Sequence, residues 1–244
     1  MRARTLFIIG FMYSGKTTVA RQLAQYLADH HGVETDVIDT DEALENRYHL
    51  TVADCFRRYG ELMFRTLETT VLKELTSDSN QAFKQLSHKS ESNAELAQAL
   101  PSRRDNDSDR RHSRTQALTH SSTQALKHSS TQALKHSSTQ ALTILSTGGG
   151  TPCFNDNMQW MLDHGITLYL KLDEAVILKR MAASRNMRPS IATLNQAERA
   201  RFVHENLQKR EPYYERAQLV FDGTDPDIAV MAQAVMDHLI NKKL

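Results

Sequence analysis

The chain has 244 residues, 40% of them hydrophobic, with 30 Lys+Arg against 29 Asp+Glu. That balance gives no electrostatic case for nucleic acid or an anionic membrane as partner, and no stretch approaches the roughly 18 apolar residues of a spanning helix. The two cysteines, Cys55 and Cys153, have no metal-ligand spacing; they fit a reducing cytoplasm and read as small buried hydrophobes rather than a disulfide.

Arg2 and Arg4 precede an apolar run, but Lys16 ends the run too early for a signal peptide. The run Thr5-Leu6-Phe7-Ile8-Ile9 reads instead as a buried parallel strand. It leads into Gly10-Phe11-Met12-Tyr13-Ser14-Gly15-Lys16-Thr17, which fits the P-loop pattern G-x-x-x-x-G-K-[ST]. Such a loop turns successive backbone N–H groups onto phosphate oxygens, its lysine adds a point charge, and its threonine hydroxyl can ligate Mg²⁺. Val19, Ala20, Leu23, Ala24 and Leu27 then recur at helical spacing, and Gly32 supplies a stop. The start of that helix adds its positive end to the anion site.

Thr35 to Ile38 reads as a second strand ending in Asp39-Thr40-Asp41. Two carboxylates at the C-terminal end of a strand suit Mg²⁺ and a substrate hydroxyl, and suit a solvated helix start equally well. Thr51-x-x-Asp54 predicts a capping box, and Gly60 separates a short helix from a second one with Leu62, Leu67 and Val71 inward. Arg65 and Glu68 share a face of that second helix, either as a surface ion pair or with the arginine fork turned to a carboxylate ligand.

Residues 76–142 change character, being rich in Ser, Gln, Asn, His and charge, with Thr-Gln-Ala-Leu recurring every eight residues at 115, 123, 131 and 139. Eight residues overshoot two helical turns by about 80°, so Ala and Leu form no continuous stripe. The apolar area per unit is too small to offset ordering entropy, which predicts disorder. His112, His120, His128 and His136 recur with the unit, and repeat expansion accounts for them without a metal. Without this segment 177 residues remain, one domain's worth.

A third strand is predicted over Thr143–Thr147, followed by Gly148-Gly149-Gly150, where a ligand can approach the backbone. A helix through Trp160, a strand over Ile166–Leu170, and a helix capped by Asp173 with Val176, Ile177, Arg180 and Met181 come next. A polar loop over Ser184–Thr193 carries Arg185 and Arg188, and arginines there suit transient phosphate neutralisation. Asn195-x-x-Glu198 opens a helix to about Lys209, interrupted by Arg210-Glu211-Pro212-Tyr213-Tyr214. A fifth strand covers Leu219–Phe221; the last helix is capped by Asp225, with Pro226 in its first turn and Ile228, Val230, Met231, Ala234, Val235 and Leu239 buried. Alternation of strand and helix predicts an α/β fold: a five-stranded parallel sheet with helices on both faces.

Outside residues 76–142 the chain resembles shikimate kinase, a small P-loop kinase of the nucleoside-monophosphate-kinase type. The resemblance rests on Gly10–Thr17, Asp39-Thr40-Asp41, Gly60-Glu61-x-x-Phe64-Arg65-x-x-Glu68, Ser146-Thr147-Gly148-Gly149-Gly150, and Arg188-Pro189 with Arg210-x-Pro212-x-Tyr214, in that order. Thr151-Pro152-Cys153-Phe154 and Lys209-Arg210-Glu211-Pro212 look like members from Bacteroidetes.

The resemblance implies phosphoryl transfer from ATP to the 3-hydroxyl of shikimate, in aromatic amino-acid biosynthesis. It implies ATP contacts from Gly10, Met12, Tyr13, Ser14, Gly15, Lys16, Thr17, Thr18 and Arg188, and Mg²⁺ held by Thr17 with help from Asp39. Shikimate would lie on Asp41, Arg65, Gly148, Gly149, Gly150 and Arg210, with Lys16, Asp41 and Arg188 catalytic. Arg180 is implied near the adenine, although its spacing to Arg188 is one residue longer than usual. A cytoplasmic monomer is expected, with no nucleic acid or membrane partner.

Two features depart from the pattern: Tyr13 stands where glycine is common, and the insertion lies at the N-terminal end of the third strand, away from the ligand ends. A gluconate or nucleoside monophosphate kinase would share the P-loop but not obviously need Asp39, Asp41, Arg65 and Gly148–Gly150 together. A non-catalytic binding protein, with the repeats recruiting a partner, is opposed by the intact Lys16, Thr17, Asp41 and Arg188.

Overall fold

The computed structural model describes residues 4–76, 142–184 and 189–241. The elements in order are β1 (Arg4–Ile9), α1 (Lys16–His31), β2 (Thr35–Asp39), α2 (Thr40–Tyr48), α3 (Val52–Thr76), β3 (Leu142–Ser146), a 3₁₀ turn (Thr151–Cys153), α4 (Asn157–His164), β4 (Ile166–Lys171), α5 (Glu174–Ala183), α6 (Pro189–Ala192), α7 (Gln196–Tyr214), β5 (Leu219–Asp222) and α8 (Ile228–Asn241). The repeats and Arg188 lie outside the described residues.

All five strands are parallel, in the order β2-β3-β1-β4-β5. Burial on both faces explains the unbroken apolar runs. Leu6 and Ile8 of β1 point into a core layer with Val19, Leu23 and Leu27 of α1 and Met231 and Val235 of α8. Phe7 and Ile9 point to the other layer, with Leu67 and Val71 of α3, Ile177 of α5 and Leu207 and Tyr214 of α7. The register sets Asp39 of β2 beside Ser146 of β3, and Ser146 beside Ile8 of β1. The C-terminal ends of three strands are thereby level, and each loop leaving them opens on the same side.

Several local expectations are corrected. Leu62 is 83% exposed rather than inward. The helix axis breaks at Gly60, whose φ of 79° is non-helical, so positions on either side fall on different stripes. Thr51 and Asp54 exchange bonds (Asp54 N to Thr51 Oγ1 3.0 Å, Thr51 Oγ1 to Asp54 Oδ2 2.8 Å), with the aspartate meeting the threonine hydroxyl rather than its backbone N–H. Asp173 stands at the N-cap of α5 without a side-chain cap bond. Within the expected polar loop, Pro189–Ala192 is helical and Ile191 is fully buried.

The helix expected to stop near Lys209 continues through Pro212 to Tyr214. Proline this near the C-terminus removes only one ladder bond, and the buried Tyr214, whose hydroxyl donates to Gly149 O at 2.5 Å, holds the last turn in place. The cap of α8 is Asp227, which accepts from Val230 N at 3.1 Å, rather than Asp225. That start point turns Val230 to solvent and puts Ala232 in the core.

Candidate active site

The P-loop runs from the end of β1 into α1 through Gly15, at φ 87°. Lys16 folds back over the loop: its Nζ donates to Gly10 O (3.0 Å), Phe11 O (2.9 Å) and Ser14 Oγ (3.4 Å). The loop borders a cavity of about 200 Å³ lined by Tyr13, Gly15, Lys16, Thr17, Thr18, Asp39, Asp41, Ser146 and Thr147. Gly10 and Met12 lie in the body of the loop, Met12 almost fully buried.

On one wall the Thr17 hydroxyl donates to Asp39 Oδ2 at 2.7 Å and lies 3.0 Å from Ser146 Oγ. Asp39 also caps α2, accepting from Asp41 N (3.0 Å) and Glu42 N (3.4 Å) through its other oxygen. The Asp39 carboxylate is therefore a helix cap that also stands on the cavity wall. These are hard oxygen donors, at a spacing suited to an ion carried in with phosphate. Among the described residues no group of three His, Cys, Asp or Glu side chains gathers around a common metal position.

Gly148-Gly149-Gly150 leaves β3 beside this cavity, and its missing side chains define a second subsite. A Cβ on Gly148 would stand 2.7 Å from Glu68 Oε1 and 2.8 Å from Asp41 Oδ1. One on Gly149 would meet Met12 N at 3.3 Å and Arg210 Nη1 at 3.6 Å, and one on Gly150 would stand 2.6 Å from both terminal nitrogens of Arg65. The glycine run is thus where Asp41 of α2, Arg65 and Glu68 of α3, and Arg210 of α7 converge.

Arg65 is buried and fixed. It pairs with Glu68 (Nη1 to Oε2, 2.9 Å) and Glu61 (Nη2 to Oε1, 3.2 Å), and its guanidinium stacks 4.2 Å from the Phe154 ring centre. Glu68 also accepts from Thr151 Oγ1 at 2.5 Å. Burial pushes the Glu68 carboxyl above its ordinary range, with Arg65 and the Thr151 hydroxyl opposing. Arg210 lies over the Phe11 ring and donates to Asn206 Oδ1 at 3.3 Å.

Arg180 grips backbone carbonyls. Its Nη1 donates to Ser14 O (2.9 Å) and Tyr13 O (3.4 Å), and its Nη2 to Gly223 O (2.8 Å) and Thr224 O (3.2 Å). It ties the P-loop to the loop between β5 and α8. Cys55 and Cys153 are both free thiols.

Of the predicted site residues, Tyr13, Gly15, Lys16, Thr17, Thr18, Asp39 and Asp41 line the cavity, Gly10, Met12 and Ser14 lie in the loop without lining it, and Asp41, Arg65, Gly148–Gly150 and Arg210 meet next to it; Arg188 lies outside the described residues. Ser146 and Phe154 are not among the predicted site residues, and Glu68 is predicted only as the neighbour of Arg65. Glu68 was within reach of the sequence through its three-residue spacing from Arg65. Ser146 needed the strand register, and Phe154 the fold.

A P-loop at the end of the central strand, a hydroxyl–carboxylate wall and an adjoining two-arginine subsite define a small-molecule kinase of the P-loop class. The chain belongs to the shikimate kinase family: the family model for shikimate kinase matches residues 12–83 and 105–242. Curated relatives agree. The chain is 27% identical over 237 residues to the shikimate kinase of Phocaeicola vulgatus, covering 97% of each chain. It is 28% identical over 240 residues to that of Parabacteroides distasonis, covering 97% of this chain and 99% of the relative. Among solved structures, the shikimate kinase of Bacteroides thetaiotaomicron shares the fold with a TM-score of 0.62 at 24% identity, over 97% of this chain and 98% of the other. The Acinetobacter baumannii enzyme, solved in complex with shikimate, does so with a TM-score of 0.58 at 24% identity, over 99% and 96%.

Proposed function

We propose that this chain transfers the γ-phosphoryl group of ATP to the 3-hydroxyl of shikimate, giving shikimate 3-phosphate and ADP in aromatic amino-acid (chorismate) biosynthesis. The observation that carries the proposal is the junction of the two subsites at Gly148–Gly150, with a phosphate cavity on one side and two arginines on the other, Arg65 buried and paired and Arg210 half-buried over the Phe11 ring.

The P-loop N–H groups and Lys16 hold the phosphates. Lys16 exchanges the loop carbonyls it now contacts for phosphate oxygens, so the charge is delivered with little rearrangement. Thr17 and Ser146, with Asp39, suit Mg²⁺, directly or through water; the ion's chemistry when bound is to neutralise phosphate charge. Asp41 takes the ring hydroxyls and accepts the proton from the 3-hydroxyl as its oxygen bonds to the γ-phosphorus and the bond to the ADP oxygen breaks. Arg65 and Arg210 clamp the shikimate carboxylate, a planar anion that matches the guanidinium fork. Arg188 is assigned to the transferring phosphoryl on the resemblance alone. Such transfer is positioning plus electrostatics, which a rigid set of this kind supplies. The enzyme is proposed to act as a single kinase domain carrying an insertion, as a monomer in the cytoplasm; among the described residues no helix is long and apolar enough to cross a membrane.

The test is coupled ADP release with ATP, Mg²⁺ and shikimate, with gluconate and nucleoside monophosphates as alternative acceptors. Release is expected with shikimate alone. Turnover of gluconate or a nucleoside monophosphate in preference to shikimate would overturn the acceptor assignment, and binding of ATP without transfer to any acceptor would overturn catalysis.

A further inference from the structure

Thr151 opens the 3₁₀ turn that follows Gly148–Gly150, and it is fully buried. Its backbone is held on both sides: its N–H donates to Gly148 O at 3.1 Å, and its carbonyl accepts from Asn157 Nδ2 at 3.0 Å. The side chain is not needed to cap or close the turn. A valine has nearly the same shape, so packing accounts for the methyl group and leaves the hydroxyl to be explained. A buried hydroxyl is costly without a partner. The partner here is a side chain of the two-arginine subsite: Thr151 Oγ1 donates to Glu68 Oε1 at 2.5 Å.

Glu68 stands between Thr151 and Arg65. Its second oxygen, Oε2, accepts from Arg65 Nη1 at 2.9 Å, so one buried carboxylate bridges the glycine turn and the guanidinium. Arg65 gives its other terminal nitrogen to Glu61 at 3.2 Å. Two of its five N–H donors are used in this way, and the rest remain for a ligand. Both terminal nitrogens face the glycine run, where a Cβ on Gly150 would stand 2.6 Å from each. An arginine and a carboxylate favour a two-point contact when nothing prevents it. The Thr151 hydroxyl prevents it here by occupying Oε1. Without that donor the carboxylate is left to turn both oxygens onto Arg65, taking up N–H groups that otherwise face the glycines.

We infer that Thr151 is a positioning residue for the acceptor subsite: its hydroxyl holds Glu68 to a one-point grip on Arg65 and so keeps guanidinium N–H groups available to the acceptor's carboxylate. The inference rests on the reading of Arg65 as a carboxylate clamp. Thr151 acts through Glu68 and touches no substrate. It also ties the clamp to the glycine run, because the same residue bonds Gly148 through its backbone and Glu68 through its side chain. The arginine and the backbone that the acceptor approaches are thereby held in one frame.

The test compares Thr151→Val and Thr151→Ser with wild type in the full chain, by calorimetric binding of shikimate and of ADP with Mg²⁺, and by steady-state turnover. Thr151→Val is expected to weaken shikimate about tenfold, the scale of one hydrogen bond to a charged group. Its ADP affinity and its kcat at saturating shikimate should stay within about twofold of wild type. Thr151→Ser keeps the donor and should bind shikimate within about twofold of wild type. Unchanged shikimate affinity in Thr151→Val overturns the inference. Equal losses for shikimate and ADP, or a serine variant as weak as the valine one, also overturn it and mark Thr151 as packing alone. A wild-type protein that binds ADP but not shikimate refutes the acceptor reading itself, and the inference falls with it.

Discussion

Replacing Arg65 by alanine should give a stability loss that grows with pH, alongside loss of shikimate affinity. Arg65 and Glu68 are buried and 2.9 Å apart, and the arginine is also stacked on Phe154. Removing one partner of a buried pair leaves an uncompensated charge and costs about 3–5 kcal/mol. The variant can relieve part of that cost by protonating Glu68. Burial already raises the Glu68 carboxyl, and Arg65 is the chief force opposing it, so without Arg65 the rise is larger. A carboxyl whose folded pKa lies above its unfolded value contributes stability that is present below the unfolded pKa and lost as pH rises through the folded pKa. The deficit of Arg65→Ala relative to wild type should therefore be larger at pH 8 than at pH 5, rising with pH toward about 3–5 kcal/mol, the cost of an unpaired buried charge. Urea unfolding at the two pH values measures it. The double variant Arg65→Ala, Glu68→Gln should recover most of the pH 8 loss, because no buried charge is then left unpaired. Neither variant should recover shikimate binding, with KM raised at least about 30-fold, the equivalent of about 2 kcal/mol of lost charge-assisted bonding. Equal stability losses at pH 5 and pH 8, or a double variant no more stable at pH 8 than the single one, would refute the reasoning.

Ser146→Ala should raise the Mg²⁺ concentration needed for half-maximal nucleotide binding several-fold while leaving shikimate affinity unchanged, since Ser146 faces Thr17 rather than the arginine subsite; an unchanged Mg²⁺ dependence would remove Ser146 from the ion's surroundings. Replacing residues 77–141 by a linker of about six residues should leave the turnover number within a few-fold, because a loop closed over some tenfold fewer residues changes folding free energy by only roughly 2 kcal/mol. The segment rejoins the fold at Leu142, the first residue of β3, at the end of that strand opposite Gly148. Complete loss of turnover in a folded variant would mean the segment takes part in catalysis.

The sequence by itself determined the strands and the P-loop. Apolar runs such as Leu6–Ile9 and glycine placement are local signals, and local signals survive in one dimension. Gly148–Gly150 was legible as a place of close approach, and Arg65 as a candidate anion ligand. Only the tertiary structure decided what approaches those glycines: Glu68 and Asp41 at Gly148, Arg210 at Gly149, Arg65 at Gly150. The same holds for the Thr17–Asp39–Ser146 contact, which depends on the register that sets β2 beside β3. Burial phase depends on where a helix starts or breaks, so Leu62 after the Gly60 break and Val230 after the Asp227 cap face solvent against the sequence expectation. Pro212 was read as an interruption because local propensity forbids it, yet α7 runs on to Tyr214, whose burial and bond to Gly149 O outweigh one lost ladder bond. Propensity and pattern are properties of neighbours in the chain, whereas the site is made by residues far apart in sequence that the sheet brings level at its C-terminal edge.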